Sequence, residues 1–304
     1  MTPRPEPRES IRHPWRTRRQ GGFTLVELIV VITLTAILAG SGSIFIGRLV
    51  EGYMSTQRRT EMSDTADMAL RRMGRDIKSA LPMSLRITTA SGITYIEFLT
   101  TKTGGRYKYD AACFATTGCS SLTTLGNVND GTWIFTPNND RVSIWSQDYG
   151  TALNCAGGDV SAWCAGTVGV TNFAPTISSF SSSGSEQTMV FASTNFSAVG
   201  EQQNHAFRVI EGPVTYVCNP AAGTLRRYWG YSLPQATQWT VTPPTGSSSA
   251  LLANHITNCQ IAYDGNASAQ QGLQGRGLMS IVLTLSMQTE TISLAHQIHV
   301  NNSP

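Results

Sequence analysis

The apolar residues of this chain are concentrated near its N-terminus in one continuous run. Residues 23–47 (FTLVELIVVITLTAILAGSGSIFIG) contain Glu27 as their single charged residue. A helix of this length reaches roughly 37 Å, enough to cross a hydrocarbon core of about 30 Å. No second apolar run of spanning length follows in the sequence. The pattern therefore predicts one transmembrane helix over residues 23–47.

Beyond Arg48 the apolar residues take the spacing of an amphipathic helix, which Leu81-Pro82 is expected to end. The predicted buried face of this stem, residues 48–81, consists of residues three or four apart: Met62, Ala66, Ala69, Leu70, Met73, Ile77, Ala80 and Leu81. The opposite face is interpreted as an ordinary solvated surface, in which Arg72 and Asp76 have the spacing of a weak ion pair: Arg71, Arg72, Arg75, Asp76 and Lys78.

After Pro82 the apolar period changes from that of a helix to that of strands. Ile93–Thr100 predicts a strand, Thr103-Gly104-Gly105 a turn, and Arg106–Tyr109 the start of a return strand. The same reasoning predicts further strands at Thr132–Thr136, Val142–Trp145, Thr188–Ala192, Phe207–Ile210, Val214–Cys218, Leu225–Tyr231, Cys259–Tyr263, Leu278–Met287 and Thr291–Val300.

Between these strands, residues 110–185 are rich in Ser, Thr, Gly and Asn, and we expect this part of the chain to be mostly loop. Pro243–Ser249 predicts another loop. The expected fold class is α+β, with a long N-terminal helix packed on a mostly antiparallel β-sheet domain over residues 82–304.

Composition and charge exclude several classes of protein. Charged residues make up 13% of the 304 residues, against roughly a quarter in ordinary soluble domains, and apolar residues make up 40%, which excludes a disordered chain. Residues 1–22 hold six arginines and two glutamates, so they account for more than the whole net charge of +3. The remainder is close to neutral, and we predict no nucleic-acid binding. The positive-inside rule places the arginines in the cytoplasm and the C-terminal domain in the periplasm.

Glu27 requires an explanation, because a carboxylate within a spanning helix costs a few kcal/mol. The segment Gly22-Phe23-Thr24-Leu25-Val26-Glu27-Leu28 resembles the processing motif of type IV prepilins and pseudopilins. The resemblance implies cleavage between Gly22 and Phe23 by a prepilin peptidase, followed by N-methylation of Phe23. It also implies that Glu27 pairs with the terminal amine of a neighbouring subunit. A secretory signal peptide is the alternative, but here the small residues precede the apolar run instead of following it.

Gly40-Ser41-Gly42-Ser43 predicts a break in the helix, a kink or local melting at Gly40 and Gly42, unless these small residues serve close helix packing. Many major pilins carry a proline near this point, and this chain does not, which favours a minor pilin or a pseudopilin over a major pilin. The string Ala69–Ile87 resembles minor pilins of the PilW type and pseudopilins of the GspJ type. Together with Gly212–Cys218, Leu251–Cys259 and the tail His296–Pro304, it is most similar to the MshO-like family of mannose-sensitive haemagglutinin (MSHA) pilus biogenesis.

Six cysteines follow the membrane segment, an even number that indicates disulfides in an exported domain. Proximity in the sequence suggests the pairs Cys113–Cys119, Cys155–Cys164 and Cys218–Cys259, although six cysteines allow fifteen pairings. A zinc site is the alternative, but the chain has no Cys-x-x-Cys, and we expect neither a metal nor another cofactor.

Catalytic motifs are absent from the sequence, and we expect no enzymatic activity. His296 and His299 are three residues apart on a predicted strand and would face opposite sides, which disfavours joint metal binding. Five tryptophans of the body are interpreted as core or interface aromatics, with a sugar-binding surface as the alternative: Trp133, Trp145, Trp163, Trp229 and Trp239.

These observations favour a minor pilin that is inserted in the inner membrane, processed, and assembled into a fibre whose growth it initiates or supports. The resemblance implies as partners other major and minor pilins, the prepilin peptidase and N-methyltransferase, the inner-membrane assembly platform, and membrane lipid. A minor pseudopilin of a type II secretion system and a membrane-tethered adhesin or carbohydrate-binding module are the alternatives.

Overall fold

The computed structural model describes residues 22–128, 131, 134–144, 161–164, 174–197, 204–233, 237–264 and 277–300. The chain divides into two compact units, residues 1–55 and residues 56–304. The division falls within helix α1 (Leu25–Lys78). It therefore lies inside the stem predicted for residues 48–81. The predicted leader, residues 1–22, lies outside the described residues except for Gly22.

The described part of the first unit is the apolar half of α1. This helix continues without interruption through Gly40 and Gly42, so the local melting predicted there is wrong, whereas the alternative, a kink, stays a prediction. Each glycine lowers the stability of a helix by only about 1 kcal/mol relative to alanine, and the flanking helix-forming residues keep this segment helical. The hydroxyls of Ser41 and Ser43 donate to the carbonyls of Leu38 and Ala39, at 3.1 and 2.8 Å, and so add bonds within the helix.

The second unit contains the remainder of α1 and, among the described residues, three sheets whose ladders are all antiparallel. Their strands are β1 (Arg86–Ala90), β2 (Ile93–Arg106), β3 (Cys119–Leu125), β4 (Arg141–Ser143), β5 (Ile177–Ser183), β6 (Glu186–Thr194), β7 (Ala206–Asn219), β8 (Thr224–Trp229), β9 (Ser248–Ala253), β10 (Ile256–Tyr263), β11 (Leu278–Met287) and β12 (Glu290–His299). The order is β1-β2-β7-β8-β9 in the largest sheet, with β4 also paired to β7. The two smaller sheets have the orders β10-β11-β12 and β3-β6-β5.

The apolar face of the stem forms the main core with the largest sheet and with β10-β11-β12. The eight apolar stem positions predicted from the sequence are all buried. Met62, Met73 and Ile77 pack in one cluster with residues such as Phe98 and Leu283. A second cluster joins the β3-β6-β5 sheet to the first half of β7. The structure confirms the α+β class and shows that the stem from residue 56 onward belongs to the same unit as the sheets.

The turn predicted at Thr103-Gly104-Gly105 is wrong, and so is the return strand at Arg106–Tyr109. Instead β2 continues to Arg106 and pairs with β7, with bulges between Thr100 and Thr103. Gly104 permits a close approach of the two backbones, because a Cβ at this position would lie 2.8 Å from the carbonyl oxygen of Phe207. These glycines therefore serve a strand contact and not a turn.

The strand content differs from the prediction in other places as well. The two strands predicted at Phe207–Ile210 and Val214–Cys218 form the single strand β7. Four strands were not predicted, namely β1, β3, β5 and β9, and β3, β4 and β5 all lie within the region expected to be loop. Residues 134–136 of the predicted strand Thr132–Thr136 are not in a strand, and residues 132–133 lie outside the described residues.

Candidate processing and assembly site

The helix begins directly after the predicted cleavage site, and Thr24 caps it. The Glu27 amide donates to Thr24 Oγ1 at 3.2 Å, and the Leu28 amide donates to the Thr24 carbonyl at 3.2 Å. Thr24-Leu25-Val26-Glu27 has the order of a capping box, in which a hydroxyl residue is followed three positions later by Glu. This capping role of Thr24 was not predicted, although the spacing of Thr24 and Glu27 is visible in the sequence. Thr24 therefore fixes the first turn, which carries Glu27.

The first turns of α1 expose apolar side chains in every direction. Phe23 is 82% exposed and Leu25 74%, and the consecutive residues 28–32 are each about half exposed. Consecutive residues point around the whole circumference of a helix, so all its sides are uncovered within this unit. Among the described residues, α1 is the one helix long and apolar enough to span a membrane. Such a surface requires lipid or other helices around it.

Polar groups in this segment are mostly satisfied within the helix. Thr33 Oγ1 donates to the Ile29 carbonyl at 3.0 Å, and Thr35 Oγ1 donates to the Val31 carbonyl at 2.7 Å. These bonds allow the hydroxyls to lie in an apolar environment. The Glu27 carboxylate differs, because no ion pair joins it to any residue in the described part of the chain.

Asp76 connects the stem to the largest sheet. Its Oδ2 accepts hydrogen bonds from Arg227 Nε at 2.7 Å and from Tyr216 Oη at 2.8 Å, and its Oδ1 lies 3.2 Å from Arg72 Nε. Burial of Tyr216, assisted by the negative charge of Asp76, raises the pKa of its hydroxyl well above the usual range. The predicted Arg72–Asp76 pair is present, but the shorter contact of Asp76 is with Arg227.

A second polar cluster lies between β1, β2 and β7 and is fully buried. Arg86 donates to Glu97 Oε2 through Nε at 2.8 Å and Nη2 at 2.7 Å, and neither side chain is exposed. Glu97 Oε1 accepts from Tyr231 at 2.5 Å and from Thr215 at 3.2 Å. Desolvation raises the pKa of Glu97 despite the positive charge of Arg86. The Arg86 guanidinium also stacks on Trp163, 3.8 Å from the ring centroid. A substrate has no access to these groups, so their role is structural.

The disulfides Cys113–Cys119 and Cys218–Cys259 are present in the structure, as pairing by proximity predicts. Cys164 is also disulfide-bonded, while Cys155 of the third predicted pair lies outside the described residues. The Cys218–Cys259 disulfide joins β7 to β10 and so links the largest sheet to the β10-β11-β12 sheet.

The histidines and tryptophans singled out from the sequence are not brought together into one site. His299 is exposed, whereas His296 is half-buried on the other face of β12. Its Nε2 would lie 3.0 Å from a Cβ added at Gly74 of the stem. Trp163 is buried, Trp229 lies against the main core, and Trp239 contacts two tyrosine rings edge-on. Trp133 and Trp145 lie outside the described residues.

Comparison with known proteins identifies the N-terminal segment. Residues 17–43 match the family model described as the prokaryotic N-terminal methylation motif. No curated protein and no solved structure matches the chain. The matched segment contains Gly22, Phe23 and Glu27 and supports a type IV pilin-like protein, a class of structural subunits. Together with the apolar helix, it indicates a membrane-anchored protein with a single span.

Proposed function

We propose that this chain is a minor type IV pilin of the MSHA-biogenesis kind, which enters a pilus fibre and initiates or supports its assembly. The observation that carries the proposal is the methylation motif at the start of an apolar helix with uncovered sides. Prepilin peptidase cuts between Gly22 and Phe23, and the new terminal amine of Phe23 is methylated. The mature chain then begins at Phe23 and lacks the arginine-rich leader.

In this proposal Glu27 selects the neighbouring subunit and sets its axial position. The carboxylate of an assembled subunit meets the terminal amine of the Phe23 of the next one. At about 4 Å, such a pair is worth roughly 4 kcal/mol in an environment of intermediate dielectric constant. Breaking it leaves an uncompensated charge in an apolar surrounding, so subunits that provide the pair are favoured over those that do not.

The proposal also includes the orientation of the protein in the inner membrane. The leader remains in the cytoplasm, the apolar half of α1 crosses the inner membrane, and the β-rich unit reaches the periplasm, where disulfides form. The partners in the membrane are other pilin subunits, the prepilin peptidase, the assembly platform and lipid. After assembly the β-rich unit is carried to the cell surface.

The role of Glu27 is tested by Glu27→Ala, with Glu51→Ala as a matched control in the same unit of α1, where Glu51 is also exposed. We expect both variants to insert and to be processed, and we expect Glu27→Ala alone to reduce incorporation of the protein into sheared pili. Normal incorporation of Glu27→Ala would contradict the pairing role.

The cleavage site is tested by Gly22→Asp, which places a charge at the predicted scissile bond. We expect the full-length precursor to accumulate in the membrane with its leader attached, and the subunit to be missing from the fibre. A mature chain that still begins at Phe23 in this variant would show that Gly22 does not define the cleavage site.

A further inference from the structure

Three arginines form a diagonal row across neighbouring strands of the largest sheet. Arg106 of β2 lies opposite Ala206 of β7, two residues before Arg208. On the other edge of β7, Arg208 lies opposite Ser143 of β4, two residues after Arg141. Residues opposite each other share a face of the sheet, and diagonal neighbours on that face lie about 7–8 Å apart at Cα. This arginine row, defined as Arg106, Arg208 and Arg141, therefore extends over about 15 Å.

The arginine row lies on the face of these strands that turns away from the second core cluster. Residues next to the arginines in the sequence are buried in that cluster: Tyr107, Val142 and Phe207. Because side chains alternate along a strand, the arginines point to the opposite side. Arg106 is exposed, while Arg208 and Arg141 are half-buried. Gly104, which lies opposite Arg208, is also exposed and has no side chain that could cover the row.

No acidic side chain neutralises the row within the part of the chain that the structure describes. Arg106 and Arg208 form neither an ion pair nor a side-chain hydrogen bond there. Asp140, which precedes β4, is fully buried, and its carboxylate accepts from Lys102 Nζ at 2.9 Å. Glu211 is three residues from Arg208 on β7, so alternation places it on the opposite face.

Arg141 also lacks an anionic partner among the described residues. Its Nη1 donates to the carbonyl oxygen of Ala174 at 2.9 Å, a neutral acceptor. Burial lowers the pKa of the Arg141 guanidinium, because a charge is costly to desolvate without a counter-ion. Like charges on one sheet face also repel each other, which lowers the stability of the sheet. An oxyanion on the row would remove this repulsion, and guanidinium groups bind carboxylates through two parallel hydrogen bonds.

The positions between the arginines restrict the class of anion. The residues opposite the arginines are small: Gly104, Ser143 and Ala206. None of these three positions offers an aromatic ring on which the bases of a single-stranded nucleic acid could stack. None offers the large apolar or aromatic side chain around which protein interfaces are built. A sheet face with spaced charges and small residues between them fits an extended, hydrophilic polyanion.

We infer that the arginine row binds an acidic polysaccharide, a polymer of sugars that carry carboxylates. Such a polymer crosses the strands along the diagonal, and its successive carboxylates contact the guanidinium groups of Arg106, Arg208 and Arg141. Partly exposed ion pairs are individually weak, so the affinity comes from the three contacts together. The inference goes beyond the proposed function, because it gives the β-rich unit a ligand of its own.

Chemical modification of arginines in the full-length protein, purified in detergent, tests where the ligand binds. Phenylglyoxal reacts with accessible guanidinium groups, and mass spectrometry measures the rate at each arginine separately. The arginines of residues 1–22 therefore do not obscure the result. With an alginate hexasaccharide present, we expect the modification of Arg106 and Arg208 to slow several-fold. Arg71 and Arg75, which are exposed on the stem, are expected to react at an unchanged rate.

The hexasaccharide concentration that half-protects Arg208 measures the affinity of the row itself. Arg106→Gln removes one of the three contacts and is expected to raise this concentration about tenfold. The matched control Arg75→Gln removes the same charge from the exposed face of the stem and is expected to leave the concentration unchanged. Both variants are expected to keep the urea midpoint of the original protein, because neither side chain forms an ion pair within the described residues.

Several results would overturn the inference. Absence of protection at Arg106 and Arg208, or equal protection of Arg71 and Arg75, would show that the row is not a site. An effect of Arg75→Gln as large as that of Arg106→Gln would show attraction by net charge alone.

The nature of the ligand is tested with three further probes. Uncharged maltohexaose is expected to give no protection, and equal protection by it would exclude recognition of the carboxylates. Hexaglutamate and a single-stranded thymidine hexanucleotide are expected to protect only at higher concentrations than the alginate hexasaccharide. Protection by either at an equal or lower concentration would overturn the assignment to a polysaccharide, in favour of an acidic protein segment or a nucleic acid.

The outcome for the arginine row is separate from that for the proposed function. Protection of the row requires neither cleavage at Gly22 nor pairing of Glu27, so its failure leaves the proposed function unchanged. A chain that is not processed at Gly22 overturns the proposed function, whatever the modification rates show.

Discussion

Removing one partner of the buried ion pair between Arg86 and Glu97 should destabilise the second unit strongly. Both side chains are fully buried, and the guanidinium donates twice to one carboxylate oxygen, at 2.7 and 2.8 Å. Arg86→Met leaves Glu97 with only the hydroxyls of Tyr231 and Thr215. Breaking a buried pair in this way costs about 3–5 kcal/mol. For a unit of this size, that loss corresponds to a fall in Tm of roughly 10 °C.

The matched control replaces both charges with apolar residues of similar volume, Arg86→Met/Glu97→Leu. This double variant leaves no unpaired buried charge, so we expect its stability to lie within about 2 kcal/mol of the original protein. Urea unfolding of the full-length protein in detergent measures both variants, with tryptophan fluorescence as the signal, because Trp163 stacks on Arg86. A loss below about 1 kcal/mol for Arg86→Met would refute the reasoning, as it would show that removing Arg86 does not leave a buried charge on Glu97.

Three further predictions concern the second unit. Because the pKa of Tyr216 is raised in the folded protein, its hydroxyl ionises in the unfolded state first. Its contribution to the free energy of unfolding is therefore complete below pH 10 and falls above it by up to about 1.4 kcal/mol per pH unit. Tyr216→Phe should flatten this alkaline decline, as measured by urea titrations at several pH values. Gly104→Val should lower the urea midpoint by the equivalent of about 2 kcal/mol or more, because its Cβ would meet the Phe207 carbonyl, whereas an unchanged midpoint would exclude the close contact. Cys218→Ser/Cys259→Ser removes a disulfide between residues 41 positions apart, and it should lower the free energy of unfolding by about 4 kcal/mol in the same assay. Equal stability of the original protein with and without reductant would contradict this.

The stem could be predicted from the sequence because a helix face is a local pattern. Its apolar spacing identified every buried hydrophobic side chain from Met62 to Leu81. The partners of Asp76 could not be predicted, since Tyr216 and Arg227 are 140 and 151 residues away in the sequence. The continuation of β2 through Gly104 was missed for the same reason, because the need for glycine there comes from a distant strand.

Strands that carry few apolar residues were also missed. The burial pattern of β5 shows that most of its side chains are exposed, so its serines gave no alternation to detect. The β1-β2 hairpin did leave a signal, because Ser91-Gly92 forms its turn with positive φ at both residues. By contrast, the methylation motif was readable in full, since a peptidase recognises local sequence. The partner of Glu27 came only from the resemblance to prepilins, because in the proposed fibre it lies on another chain.

The measurement that tests the central proposal most directly is the mass of the N-terminal peptide of the protein isolated from sheared pili. The proposal predicts a chain that begins at Phe23 and carries one methyl group on its amine, with no trace of residues 1–22. A protein that keeps this leader, or that begins at a position after the apolar helix, would contradict it.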